Sequence, residues 1–154
     1  DLFGSAAADK CIEQAACMMA DSAGRFHPDH RSIMAYDQAL RAPYSGLSHS
    51  ERALIAYAIG CRYEKDFKRP AEYEGLTTPE QDERARQIGS AMRLGAVFSG
   101  RSGPILRRAK LVRRGETLQL RVSKADEAML SDTVRRRLSQ TASQLNLKPD
   151  TSID

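Results

Sequence analysis

Apolar side chains return at helical intervals along most of the chain. Ile12, Ala15, Ala16 and Met19 line one side of an amphipathic helix expected over about 6–21, closed by Gly24, with Cys11 and Cys17 in or beside that stripe. Pro28 pushes His27 out of helical geometry, so residues 25–31 read as a turn. That turn feeds a short helix marked by Ile33, Met34, Tyr36 and Leu40, which Pro43 stops. Ser48 and Glu51 stand at capping-box spacing ahead of Leu54, Ile55, Ala58 and Ile59, predicting a helix to about Glu64 with Arg62 in its last turn. Residues 65–76 mix charges with Pro70 and Gly75 and read as a surface loop.

Thr78, Pro79 and Glu80 then supply an N-cap, a first-turn proline and an acid at the positive pole of the next helix. In it Ala85, Ile88, Met92, Gly95 and Phe98 step along one side, while Arg86, Gly89, Ser90 and Arg93 step along another. Small residues between two arginines leave room for a ligand, or equally for a second helix, to come close. Residues 99–103 break the helix, and Pro104 opens a short one through Ile105 and Leu106. Alternating Leu118, Leu120 and Val122, facing residues 110–114 across Gly115 and Glu116, predict a β-hairpin over about 110–122. A closing helix is expected over about 125–145, buried along Leu130, Val134, Leu138, Ala142 and Leu145, with a frayed tail after Pro149. The pattern is that of a mainly α, multi-helix fold with one β-hairpin before the closing helix.

Its length, 154 residues, suits one domain over 1–154. Charge sharpens the picture. Lysine and arginine exceed aspartate and glutamate by 24 to 20, a net charge of +4, which favours an anionic partner. Residues 84–115 hold Arg84, Arg86, Arg93, Arg101, Arg107, Arg108, Lys110, Arg113 and Arg114 with no Asp or Glu. Such a run is either a solvated face or a focused positive surface, and the missing acids count for the second. With no tryptophan and only 6% aromatic residues, stacking support for nucleic-acid binding is thin. Three cysteines without a CxxC pair argue against a disulfide framework or zinc knuckle and for a reducing, cytoplasmic setting. No apolar run reaches the ~18 residues of a membrane span. The chain opens on Asp1, as expected of the back part of a longer polypeptide.

Candidate chemistry is sparse. Metal-dependent hydrolysis needs converging His, Asp or Glu ligands, and His27, His30 and His49 read instead as turn or capping residues. The dipeptide Asp29-His30 reverses the His-Asp order of helical HD phosphohydrolases. Neither a G-x-S-x-G elbow nor a Gly-rich phosphate loop occurs.

The ordered set Arg25-Phe26-His27-Pro28-Asp29-His30-Arg31-Ser32, Ala42-Pro43-Tyr44-Ser45-Gly46-Leu47, Arg62-Tyr63-Glu64-Lys65 and Ala91-Met92-Arg93-Leu94-Gly95-Ala96 resembles the C-terminal region of exopolyphosphatase and guanosine pentaphosphate phosphohydrolase proteins. The resemblance spans nearly the whole chain. It implies an HD-like helical domain behind N-terminal actin-like domains that hold the active site and its magnesium, so that no catalytic or metal-binding residue is expected in this segment. Glu64 stands where other members carry a histidine. Polyphosphate or guanosine pentaphosphate is the implied ligand, held in a basic channel by Arg93, Arg86 and Arg101, with Arg62, Lys65 and Arg69 as second choices. A dimerisation or regulatory module without ligand binding, acting as a homodimer, is the rival reading; neither reading calls for a membrane.

Overall fold

The computed structural model describes residues 7–154, and the helix start expected at Ala6 lies outside them. Two compact units divide inside one long helix, the first reaching Met92 and the second beginning at Arg93.

The first unit is built on α3 (His49–Tyr63), with α1 (Ala7–Met19) and α2 (Arg31–Arg41) packed against it. Every residue of α3 from Ala53 to Arg62 is buried, the signature of a helix enclosed on all sides. Its start is the expected capping box: Ser48 Oγ accepts from the Glu51 N–H at 3.2 Å, and Glu51 Oε2 accepts from the Ser48 N–H at 2.7 Å. Glycines then set how closely neighbours approach. A Cβ at Gly60 would stand 2.4 Å from the Phe67 ring, and one at Gly89 would stand 2.6 Å from Cys61 Cβ and 2.7 Å from the Ala58 carbonyl oxygen. Gly89 therefore belongs to the contact between α3 and α4 (Pro79–Ser99), and of the two readings for this position helix packing holds.

Two local expectations shift. The buried stripe of α2 is Ser32, Ala35, Tyr36 and Ala39, whereas Met34 is exposed. Small residues bring the helix close enough to α3 for Tyr36 to reach Phe67 and Tyr73, with ring centroids 5.5 and 5.9 Å away. On α1, Ile12 and Ala16 are buried while Cys11 and Cys17 are exposed. The loop from 65 to 76 is largely irregular as expected, with one 3-10 turn at Ala71–Tyr73.

In the second unit, Leu94 and Phe98 from the end of α4 join Leu118, Leu120, Val122, Leu130, Val134, Leu138 and Ala142 in one core. Helix α4 ends in a Schellman motif: Gly100 adopts φ 57° and the Arg101 N–H donates to the Ala96 carbonyl at 3.2 Å. After the short α5 (Gly103–Leu106), β1 (Lys110–Arg114) and β2 (Thr117–Val122) form the predicted hairpin, closed by Gly115 at φ 56°.

The closing segment corrects the sequence reading twice. Instead of one helix over 125–145 there is a 3-10 turn at Lys124–Met129 and then α6 (Asp132–Gln144). Leu130 leaves helical geometry at ψ 53°, and Ser131 caps α6 by accepting from the Val134 N–H. The tail is not frayed: β3 (Lys148–Ile153) pairs parallel to β2, from Thr117 opposite Lys148 to Val122 opposite Ile153. Asn146 at φ 55° turns the chain out of α6 toward that strand. The result is a sheet in the order β1-β2-β3, with α6 as the crossover between parallel strands.

Candidate functional site

A cleft of about 430 Å³ lies wholly within the first unit, lined by Tyr57 of α3, by Lys68, Arg69, Glu74 and Thr77 of the following loop, and by Pro79, Asp82 and Arg86 of α4. Local sequence explains its walls. Thr78 caps α4 reciprocally with Gln81, whose Oε1 accepts from the Thr78 N–H at 2.9 Å. This fixes the first turns, so that Asp82 and Arg86, four residues apart, rise on one face.

Arg69 is the cleft's fastened cation. It grips Asp82 through two nitrogens, at 2.9 and 2.5 Å, and donates to Thr77 Oγ1. The Thr77 hydroxyl in turn donates to Asp82. Arg69 also stacks over the Tyr57 ring, 4.8 Å from its centroid. Its side chain is 11% exposed and that of Asp82 16%, so each neutralises the other out of solvent.

Arg86 is held differently. Its Nη2 donates to the Tyr57 hydroxyl at 2.8 Å, and its guanidinium lies 5.3 Å from the same ring centroid. The Tyr57 hydroxyl passes its own proton toward the Phe67 carbonyl at 3.4 Å. Burial holds the Tyr57 phenol above its ordinary pKa, and Cys61 and Asp82 add to that, while Arg86 and Arg69 pull the other way. Tyr36 beneath is pushed up to about 12, again chiefly by burial. Both phenols therefore stay protonated at neutral pH, and Tyr57 orients Arg86 without cancelling its charge. Exposed Lys68 adds a second cation and Glu74 one acid. The arrangement can bind an anion. The Thr77 hydroxyl and the Asp82 carboxylate on the cleft wall are both engaged by Arg69.

Of the residues singled out in the sequence, Arg69 and Arg86 meet here. Arg62 does not line the cleft: it is 6% exposed, paired with Asp21, and lies over the Tyr63 ring at 4.5 Å. Lys65 is exposed on the turn after α3. Arg93, half-buried on α4, and Arg101, exposed just past its end, belong to the second unit. Tyr57, Lys68, Thr77 and Asp82 were missed. The spacing of Asp82 and Arg86 was the available signal, but nothing in the sequence marks Tyr57 as their partner.

The acid-free run of residues 84–115 also reads differently once folded, because Glu13 pairs with Arg84 and Asp126 pairs with Arg108. His27 caps the turn at Pro28–His30 by accepting from the Asp29 N–H at 3.4 Å. Glu64 accepts from the Ser32 hydroxyl at 2.7 Å, tying the end of α3 to the start of α2. Among the described residues no group of three or more His, Cys, Asp or Glu side chains is placed to hold a metal ion, and no helix is long and apolar enough to cross a membrane.

Fold and site together define a mainly helical chain with a small sheet, in which one cleft of the first unit is lined by two arginines and a lysine. The family model described as the C-terminal domain of exopolyphosphatase matches residues 4–148. The chain thus belongs to the exopolyphosphatase C-terminal family, in agreement with the resemblance carried by its motifs. No curated protein matches the chain at a significant level.

Proposed function

We infer that this chain is the polyphosphate-holding part of an exopolyphosphatase, and that it does not cleave phosphoanhydride bonds by itself. The observation that carries the reading is Arg86, a guanidinium positioned by the Tyr57 phenol instead of being neutralised by a carboxylate, with Lys68 on the same cleft. Phosphate oxygens meeting such a guanidinium gain charge-assisted hydrogen bonds. Holding the chain away from the reacting end contributes binding and alignment more than bond-breaking. Arg93 and Arg101 are proposed as further phosphate contacts. Magnesium and the catalytic acid belong, in this reading, to actin-like domains of the parent protein, as the family resemblance implies. Guanosine pentaphosphate presents the same oxygens and is the competing ligand. Free thiols at Cys11, Cys17 and Cys61 fit a reducing cytoplasm.

Calorimetric titration of the 154-residue chain with inorganic polyphosphate tests the inference. Binding that weakens steeply with salt, falls on Arg86→Gln, and is unaccompanied by phosphate release is the expected result. Robust turnover by this chain, or equal affinity in the Arg86→Gln protein, would overturn it.

A further inference from the structure

The two outer strands of the sheet are finished differently. β3 carries Pro149, which lacks an N–H, and Asp150; both discourage further pairing. β1, at the opposite edge, has neither a proline nor an acid, and among the described residues no backbone hydrogen bond outside the hairpin covers it. Its backbone groups pointing away from β2 are therefore available as a template. Lys110, Arg113 and Arg114 are exposed, and Leu111 and Val112 are half-buried between them.

The charge pattern selects the occupant. Two copies pairing antiparallel through β1, centred on Val112, would set Lys110 of one opposite Arg114 of the other, at both ends of the pair. Like charges directly opposed across strands are destabilising. An acidic strand in the same place meets both cations with carboxylates. Strand addition draws affinity from main-chain hydrogen bonds and selectivity from the alternate side chains, and on one face of β1 those side chains are Lys110, Val112 and Arg114. We propose that the open edge of β1 takes up an extended acidic segment of a partner protein as a fourth strand. This goes beyond polyphosphate holding and stands on a different unit of the molecule.

The probe is a fluorescently labelled peptide of alternating valine and glutamate, titrated into the 154-residue chain, with a valine-lysine peptide as control. The glutamate peptide should bind, shifting the amide NMR signals of β1 and β2, and the lysine peptide should not. Reversing both cations, with Lys110→Glu and Arg114→Glu, should weaken the glutamate peptide about tenfold and admit the lysine peptide. Both side chains are exposed, so the fold should persist by circular dichroism. A second arm needs no change to the protein: N-methylation along one edge of the peptide should abolish binding, and along the other edge should leave it intact. Equal binding of the two methylated peptides, or their complete displacement by polyphosphate without loss of the β1 shifts, would show a diffuse polyanion surface and overturn the proposal.

Discussion

At the cleft, Arg69 and Arg86 turn inward onto one tyrosine; on the hairpin, Arg113 and Arg114 stand in solvent, where Arg113 donates to the Gly115 carbonyl at 3.4 Å. The residue type is the same, and the difference lies in what surrounds it. A guanidinium fixed by an aromatic face and a hydroxyl has lost its side-chain freedom on folding, so less remains to be lost when an anion arrives. An exposed arginine on an edge strand must be ordered by its ligand. The cleft therefore presents preordered cations, whereas those of the hairpin edge are not preordered.

Substitutions can break this contrast at several strengths. Asp82→Ala should cost the most, about 3 kcal/mol, because it strands the largely enclosed Arg69 without its counter-charge; chemical denaturation measures it. Gly89→Val comes close behind, also at about 3 kcal/mol, or a fall in melting temperature on the order of 10 °C, since the added carbon atoms collide with Cys61 and the Ala58 carbonyl behind the cleft. If Gly89→Val melts like the parent, the close approach of α3 and α4 is not what supports the cleft. Arg86→Gln should lower polyphosphate affinity about tenfold while changing stability by less than ~1.5 kcal/mol, and Arg114→Gln should change both far less. Comparable losses from the two variants would erase the distinction between cleft and hairpin.

The smallest effect is a pH dependence at the base of α3. The Ser48 N–H, and after it the Ser48 hydroxyl, hold the Glu51 carboxylate below its ordinary range. A lowered folded-state pKa contributes stability that is complete above the unfolded-state value and is lost as pH falls through the folded one. NMR titration should find Glu51 below the usual value of ~4.3, and Ser48→Ala, which removes the hydroxyl but keeps the N–H, should raise it only part of the way. Unchanged titration in that variant would remove the Ser48 hydroxyl as a cause and leave the backbone N–H.

The helices were legible from the chain because their ends carry their own chemistry. Ser48 with Glu51, Thr78 with Pro79, and Gly100 after the end of α4 act within a few residues of where they stand. The hairpin was legible for the same reason, with its alternation and glycine turn both local. Two of the eight residues that line the cleft, Arg69 and Arg86, could be named in advance, as cations in a chain rich in them. Tyr57 could not, because its role depends on a loop folding back over α3.

By itself, the sequence determined where the hairpin and most of the helices lie, though not the start of α6, and that arginine would dominate the basic residues, since periodicity, capping and composition need no distant partner. Tertiary structure decided the rest. It supplied Glu13 to Arg84 and Asp126 to Arg108 from distant parts of the sequence, turned Gly89 toward α3, and paired Asp82 with Arg69 while leaving Arg86 to a tyrosine. It also made a strand of the tail, whose residues lack alternation and become ordered only because β2 offers a row of backbone partners. Hydrogen bonds and ion pairs between distant residues depend on where the packed core delivers their backbones, which no local pattern encodes.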